Sequence, residues 1–223
     1  MVVTRQFDAQ SRHMIETQLR RRGIRDERVL EAMRMVPRHE FVPADLMDAA
    51  YDDRPLPIGE RETISQPYIV AAITEAAHVA RGDRVLEIGG GSGYQAAILA
   101  QLGATVYSIE INARLAEQAC ERVERLGYSN VQVIAGDGSE GLAAHAPYDV
   151  IIVSAGTPSV SPILLGQLAD GGRLVAPVGN LRQQELLLLS QHDGQITTRR
   201  LDPCQFVPLV GKGGWPERSP GLS

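Results

Sequence analysis

Between about residues 66 and 180 the chain alternates short β-branched apolar runs with helical patterns, and this leaves few folds open. The runs cover 84–88, 105–109, 131–134, 149–153 and 173–176, and helical patterns over 94–102, 113–126 and 162–168 separate several of them. Strands joined by helices at this spacing build βαβ units and a parallel sheet. Runs without polar alternation suit strands covered on both faces. Past residue 184 the style changes. Segments 185–190, 196–201 and 205–210 read as strands with no helix between them, and Asp193-Gly194 marks a turn. The expected fold is α/β, a three-layer sandwich whose mostly parallel sheet ends in an antiparallel C-terminal edge.

A helical region precedes this pattern. Met14, Leu19, Val29, Leu30, Met33 and Val36 recur at helical intervals interrupted by Gly23, which predicts helices over 10–22 and 26–36. Pro37 and Pro43 bracket a break, and Pro55-Leu-Pro57 predicts an extended segment. Arg20-Arg21-Arg22 reads as a solvated helix end. The chain thus divides into a helical extension, 1–58, a core, 59–210, and a Gly/Pro-rich tail expected to be loose, 211–223, within one domain overall.

Several function classes are disfavoured. The formal charge is −5; the first 40 residues hold nine Arg against six acids, and the remainder is strongly acidic. An acidic body argues against nucleic-acid binding. Cys120 and Cys204 lie far apart and the five histidines show no ligand spacing, so no metal site is expected. No apolar run approaches the roughly 18–20 residues of a membrane span, and the N-terminus lacks a signal-peptide core. The expectation is a cytoplasmic monomer without membrane or nucleic-acid partners.

The strongest local signal is Glu87-Ile-Gly89-Gly90-Gly91-Ser92-Gly93, placed between a strand and a helix. Glycines allow a tight turn and close backbone approach to a ligand, and the helix start behind them offers unpaired N–H groups. The spacing of Gly89, Gly91 and Gly93 is two and two, which is not the dinucleotide pattern Gly-x-Gly-x-x-Gly. Glu87 would repel a pyrophosphate. It suits a phosphate-free ligand with a cationic amino-acid end, such as S-adenosylmethionine. Two more acids end successive strands. Glu110 is placed to accept ribose hydroxyls, with Ile111 beside it, and Asp137, followed by Gly138, is placed to accept from an adenine amine. Three acids at the carboxyl ends of three strands point to a nucleoside site, because ligands bind outside those ends. Glu-x-Gly-x-Gly-x-Gly resembles the first motif of the Rossmann-like, class I methyltransferases.

The segment before the sheet narrows the resemblance. Ala50-Tyr-Asp-Asp-Arg-Pro-Leu-Pro-Ile-Gly59, Thr63-Ile-Ser-Gln-Pro-Tyr68, Val36-Pro-Arg-His-Glu-Phe-Val-Pro43, Gly136-Asp-Gly138 and Phe206-Val-Pro-Leu209 resemble the protein-L-isoaspartate O-methyltransferases, in order, over nearly the whole chain. The resemblance implies methyl transfer from S-adenosylmethionine to the α-carboxylate of L-isoaspartyl residues in damaged proteins, leaving S-adenosylhomocysteine. The ester then closes to a succinimide, which reopens partly to normal aspartate. It further implies that Ser65 is the active-site serine and that Thr63, Ile64, Ser65 and Tyr68 lie between cofactor and substrate. Ile58, Thr63, Ser65, Pro208, Leu209 and Val210 would line the peptide site.

The chemistry asks little of the protein in proton transfer. A carboxylate is already ionised near neutrality, since its unperturbed pKa is about 4. Ser65 is expected to donate a hydrogen bond that orients the acceptor, and no Gly-x-Ser-x-Gly elbow marks it as a nucleophile. Glu87 and Glu110 should face the amino and ribose ends, away from the methyl. Two positions depart from the family pattern: Gly90 stands where a hydroxyl residue is common, which predicts a looser loop, and Val210 where some members have Thr. The alternatives are a methyltransferase with another small-molecule or protein acceptor, an NAD-dependent oxidoreductase, and a binding module that kept the cofactor fold.

Overall fold

The computed structural model describes residues 2–216, with side chains from Gln6 onward. Helix α1 (Val2–Met14) runs on through a π turn at Ile15–Leu19 and a 3-10 turn at Arg20–Arg22. It starts well before the expected residue 10. Gly23 stops it in the left-handed conformation at φ 104°, and Ile24 N–H donates to the Leu19 carbonyl. Helix α2 (Glu27–Met35) is capped by Asp26, whose side chain accepts from Arg28 N–H. The arginine run is not simply solvated. Arg20 donates two bonds to Glu27, and Arg22 pairs with Asp53 and covers the Tyr68 ring at 3.5 Å.

Strands β1 (Leu56–Gly59) and β2 (Glu62–Ile64) form a small antiparallel hairpin that sequence patterning presents only as an extended stretch. Helix α3 (Pro67–Ala77) follows, with Pro67 in its first turn. The core then alternates β3 (Arg84–Ile88), α4 (Tyr94–Gln101), β4 (Thr105–Glu110), α5 (Ala113–Arg125), β5 (Val131–Ala135), β6 (Tyr148–Val153), α6 (Pro162–Leu165) and β7 (Leu168–Gly179). Strands β8 (Gln184–His192) and β9 (Gln195–Cys204) close the edge. The sheet order is β5-β4-β3-β6-β7-β8-β9, parallel through β7 and antiparallel at β8 and β9. This is the architecture expected from the alternation. One expected strand is absent: 205–210 makes only isolated bridges, Pro208 to Gly156 and Val210 to Trp215, with Gly156 N–H donating to the Val207 carbonyl and Leu209 N–H to that of Gly156.

Period-two alternation sends successive residues to opposite faces. Val85, Val150, Ile152 and Val175 join one apolar cluster, with Ile73 of α3 and Leu99 of α4. Leu86, Ile88, Ile151, Val153 and Leu174 join the other, with Leu164 of α6. The N-terminal region does not stand apart. Met14, Leu19, Leu30, Met33, Val36 and Phe41 share a third cluster with Val70 and Ala71 of α3 and with Tyr94, Ala97 and Ile98 of α4. It therefore packs on two helices of the sandwich rather than on the sheet itself.

The tail also differs from expectation. Lys212 N–H donates to Asp137 and Gly213 N–H to Ser139, while the Trp215 indole donates to the Gly156 carbonyl at 3.1 Å. Residues 211–215 are thus fastened to the core, and the rest of the expected loose tail, 217–223, lies outside the described residues.

Gly93 joins the loop to α4 at φ 85°, and a Cβ there would meet Ala119 and Val123 of α5 at 3.3 Å. Left-handed strain and crowding act together, so Gly93→Ala should lower the unfolding free energy by about 2–4 kcal/mol, read as a fall in the urea midpoint. An unchanged midpoint would mean that the loop relaxes without cost.

Candidate active site

The chain turns back sharply after β3. Gly89 and Gly90 N–H groups both donate to the Ile109 carbonyl, and Gly89, Gly91 and Gly93 all have positive φ. The turn sits where β3 lies between β4 and β6, the point at which the sheet's order reverses. Three adjoining hollows open there. One is lined by Thr63, Ile64, Ser65, Glu87, Gly89–Gly91, Tyr94, Ser154 and Phe206. The second holds Thr63, Gly89, Gly91, Glu110, Ile111, Gly138, Ser154 and residues 207–210. The third, a groove, is lined by Pro55, Thr63, Ser65, Gln66, Ser154 and residues 205–207. Thr63 and Ser154 border all three.

Glu87 is the electrostatic centre. It follows Val85 on the face of β3 that meets α3 and α4, and it is fully buried. The β3–β4 register sets Ser108 opposite it, and the Ser108 hydroxyl donates to Glu87 Oε2 at 2.6 Å. Glu87 Oε1 accepts no hydrogen bond among the described residues. Burial is the main cause that pushes this carboxyl up to about 8; the Ser108 hydroxyl opposes the shift, the neighbouring Glu110 adds to it, and the nearby Ser154 hydroxyl opposes it again. A buried carboxyl group that lines a hollow and keeps one oxygen without a hydrogen bond among the described residues fits a ligand bringing a cation.

The position of Gly90 is explained by the same pair. A Cβ at residue 90 would overlap the Ser108 hydroxyl. Glycine here makes room for the donor to Glu87, and the loop stays anchored to Ile109. The expected looseness is therefore not what the structure shows.

Glu110 is buried and serves the loop. Its Oε2 accepts from Gly91 N–H at 2.8 Å and its Oε1 from Asn112 N–H at 2.9 Å. Each oxygen keeps a second lone pair for a hydroxyl donor. Ile111, 46% exposed, offers an apolar surface beside it in the second hollow.

Other expected residues are placed differently. Asp137 does not line the second hollow; its carboxylate accepts from Ser139 N–H, the Ser139 hydroxyl and Lys212 N–H. Burial alone would raise this carboxyl, but these donors outweigh it and hold it below its ordinary value. Tyr68 points away from the glycine loop. Its hydroxyl donates to Asp202 at 2.9 Å, and it lines a separate groove with Arg22, Arg25 and Arg199. The cause is helical geometry: Tyr68 lies one residue past Pro67 at the start of α3 and turns outward under Arg22. Ile58 sits behind the loop, against Gly91, rather than beside Ser65. Pro208, Leu209 and Val210 border the second hollow, while Gln205, Phe206 and Val207 border the groove at Ser65.

Two residues escaped sequence reasoning. Ser154 follows directly on the carboxyl end of β6, beside Glu87 near the carboxyl end of β3, so the rule that marked the acids could have marked it. Ser108 carried no signal, because only strand register brings it to Glu87.

Known proteins match both halves of this site. The family profile described as protein-L-isoaspartate(D-aspartate) O-methyltransferase matches residues 9–214. The protein-L-isoaspartate O-methyltransferase of Koribacter versatilis is 55% identical over 202 residues, covering 91% of each chain. That of Methanoculleus marisnigri is 53% identical over 202 residues, covering 91% of this chain and 92% of its own. A solved protein-L-isoaspartate O-methyltransferase superposes with a TM-score of 0.81 at 33% identity, over 91% of this chain and 66% of that one. A structure from Plasmodium falciparum, described as a putative member in complex with S-adenosyl-L-homocysteine, gives a TM-score of 0.77 at 26% identity over 88% of this chain and 96% of its own. Because the match runs unbroken from the N-terminal helices through the Ser65 segment and the glycine loop to the 205–210 wall, the chain belongs to the protein-L-isoaspartate(D-aspartate) O-methyltransferase family.

Proposed function

We propose that this chain methylates the α-carboxylate of L-isoaspartyl residues in damaged proteins, with Glu87 holding the cationic end of S-adenosylmethionine and Ser65 orienting the acceptor. The observation that carries the assignment of the site is the unpartnered Glu87 oxygen beside the glycine loop, next to a groove that Ser65 borders. S-adenosylmethionine supplies an electrophilic methyl on a sulfonium, together with an ammonium that complements Glu87.

The chain's own groups divide the remaining work. Gly89, Gly91 and Gly93 let the backbone come close to the amino-acid end. Glu110 keeps lone pairs for ribose hydroxyls, and Ile111, Gly138 and Leu209 form apolar walls for a base. Thr63, Ile64 and Ser65 sit between the hollows, and the Ser65 hydroxyl is free to donate to an acceptor carboxylate. Phe206 and Val207 wall the groove for the peptide. Removing a carboxylate from water is costly unless it is hydrogen-bonded, so a serine donor suits the acceptor. Holding the reactants in line is worth on the order of 7–11 kcal/mol.

The same proposal takes the chain to act as a cytoplasmic monomer on isoaspartyl proteins, without nucleic acid or membrane. The acidic net charge of −5 supports this, and no helix among the described residues is long and apolar enough to cross a membrane.

Paired peptides test the substrate. One contains L-isoaspartate and its twin L-aspartate at the same place. Base-labile methyl on the first alone is expected; equal labelling, or labelling of neither, would return the chain to a class I methyltransferase with another acceptor. Ser65→Ala should lower kcat by about 10- to 100-fold while S-adenosylhomocysteine affinity stays within about 3-fold, since other contacts hold the cofactor. Lost cofactor binding with normal turnover on bound enzyme would contradict the orienting role.

The Glu87 site also has a pH signature. A carboxyl at about 8 holds its proton at neutral pH in the unliganded protein. A ligand ammonium favours the ionised form, so binding expels that proton and affinity rises as pH climbs towards about 8. Calorimetry in buffers of different ionisation heat should detect the release, and Glu87→Gln should abolish it. Proton-neutral binding to the wild-type chain would place the ammonium elsewhere.

A further inference from the structure

The bulkiest of the fully buried side chains is a cation, Arg38, and it forms no ion pair among the described residues. Taking a guanidinium out of water without an acid is expensive, so the neighbours that hold it carry information. Its Nε donates to the Ala50 carbonyl at 2.7 Å, and its Nη2 donates to the Ser65 carbonyl at 2.7 Å. Its third nitrogen, Nη1, makes no hydrogen bond among the described residues. The guanidinium lies over the Tyr94 ring, 4.8 Å from the centroid.

These three contacts join separate parts of the site. Ala50 and Ser65 flank the stretch that contains the β1–β2 hairpin, including Thr63 and Ile64. Tyr94 opens α4 immediately after Gly93, and it lines the hollow that contains Glu87. One rigid, planar fork therefore ties both ends of the acceptor segment to the helix behind the cofactor loop. Fixing the Ser65 carbonyl fixes the Ser65–Gln66 peptide plane, and with it the direction in which the Ser65 side chain leaves the backbone.

We propose that Arg38 is a positioning residue for methyl transfer: by donating to the Ala50 and Ser65 carbonyls while resting on Tyr94, it sets the Ser65 hydroxyl relative to the glycine loop. The inference rests on the orienting role of Ser65 given above. Lysine cannot reproduce it, because a single ammonium on a flexible stem lacks the fork that reaches two carbonyls at once.

The test is a double-mutant cycle on the full chain with Arg38→Lys and Ser65→Ala, reading kcat and KM for an isoaspartyl peptide, S-adenosylhomocysteine affinity and the melting curve. Arg38→Lys should cut kcat by at least about 10-fold with S-adenosylhomocysteine affinity within about 2-fold, and adding it to Ser65→Ala should cost less than about 2-fold more. A residue that only supported the core would lower stability and add its full effect to Ser65→Ala. Full additivity, or unchanged kcat in Arg38→Lys, overturns the role of Arg38. Undiminished kcat in Ser65→Ala instead overturns the role of Ser65, and the inference falls with it. Should Arg38→Lys fail to fold, replacing the Ser65–Gln66 amide by an ester weakens the Ser65 carbonyl as an acceptor and leaves every side chain in place. That protein should show the same fall in kcat, and normal kcat would overturn the proposal.

Discussion

A carboxyl group buried without a cation, Glu87, is the constraint around which this molecule is arranged. It sits at the end of the central strand, on a face covered by α3 and α4, so water does not solvate it. Such a group is tolerated only when its neighbours offset part of the cost. Ser108 does so for one oxygen, across the β3–β4 register, and Gly90 leaves the space that this hydroxyl needs. The other oxygen has no hydrogen-bond partner among the described residues, and Glu87 lines the hollow. Burial keeps this carboxyl protonated near neutral pH, so a cationic ligand that ionises it links binding to loss of that proton.

The opposite demand lies in the N-terminal region. Arg38 is as deeply buried as Glu87 and equally short of an ionic partner. Tyr94 touches both environments: its ring supports the guanidinium, and it lines the hollow containing Glu87. Keeping the two groups on different walls, rather than as an ion pair, leaves Glu87 to ionise against a cationic ligand and Arg38 to hold the segment that meets an anionic acceptor. A direct ion pair would have satisfied both and left no electrostatic preference in the cleft.

The remaining walls are fastened to the sheet by backbone bonds. Residues 205–210 return beside Gly156 instead of forming a further strand, and Trp215 and Lys212 tie the chain to Gly156 and Asp137. Asp137 thereby acts as a clasp for the C-terminal segment. Its position at a strand end fits a ligand contact equally well in sequence, and the clasp itself is visible only in the fold, where Oδ1 takes both Ser139 donors and Oδ2 takes Lys212 N–H.

Much of the fold is local in origin and so was legible from residues alone. β-branched runs between helical patterns specify a parallel sheet, Asp193-Gly194 specifies the edge hairpin, and the two-and-two glycine spacing with a preceding acid specifies a nucleoside site without a pyrophosphate. Those features depend on backbone preference and on period, which neighbouring residues determine together. What no local pattern contains is which side chains meet across the fold. Strand register brings Ser108 to Glu87, helix phase turns Tyr68 outward to Asp202, and packing of the first 50 residues on α3 and α4 brings Arg38 to Ser65. The sequence by itself determined the sheet, the glycine turn and the type of ligand, because these follow from short-range geometry and charge. Only the tertiary structure decided which acid is left bare, which is already satisfied, and which buried cation holds the serine, because each of those depends on partners distant in the chain.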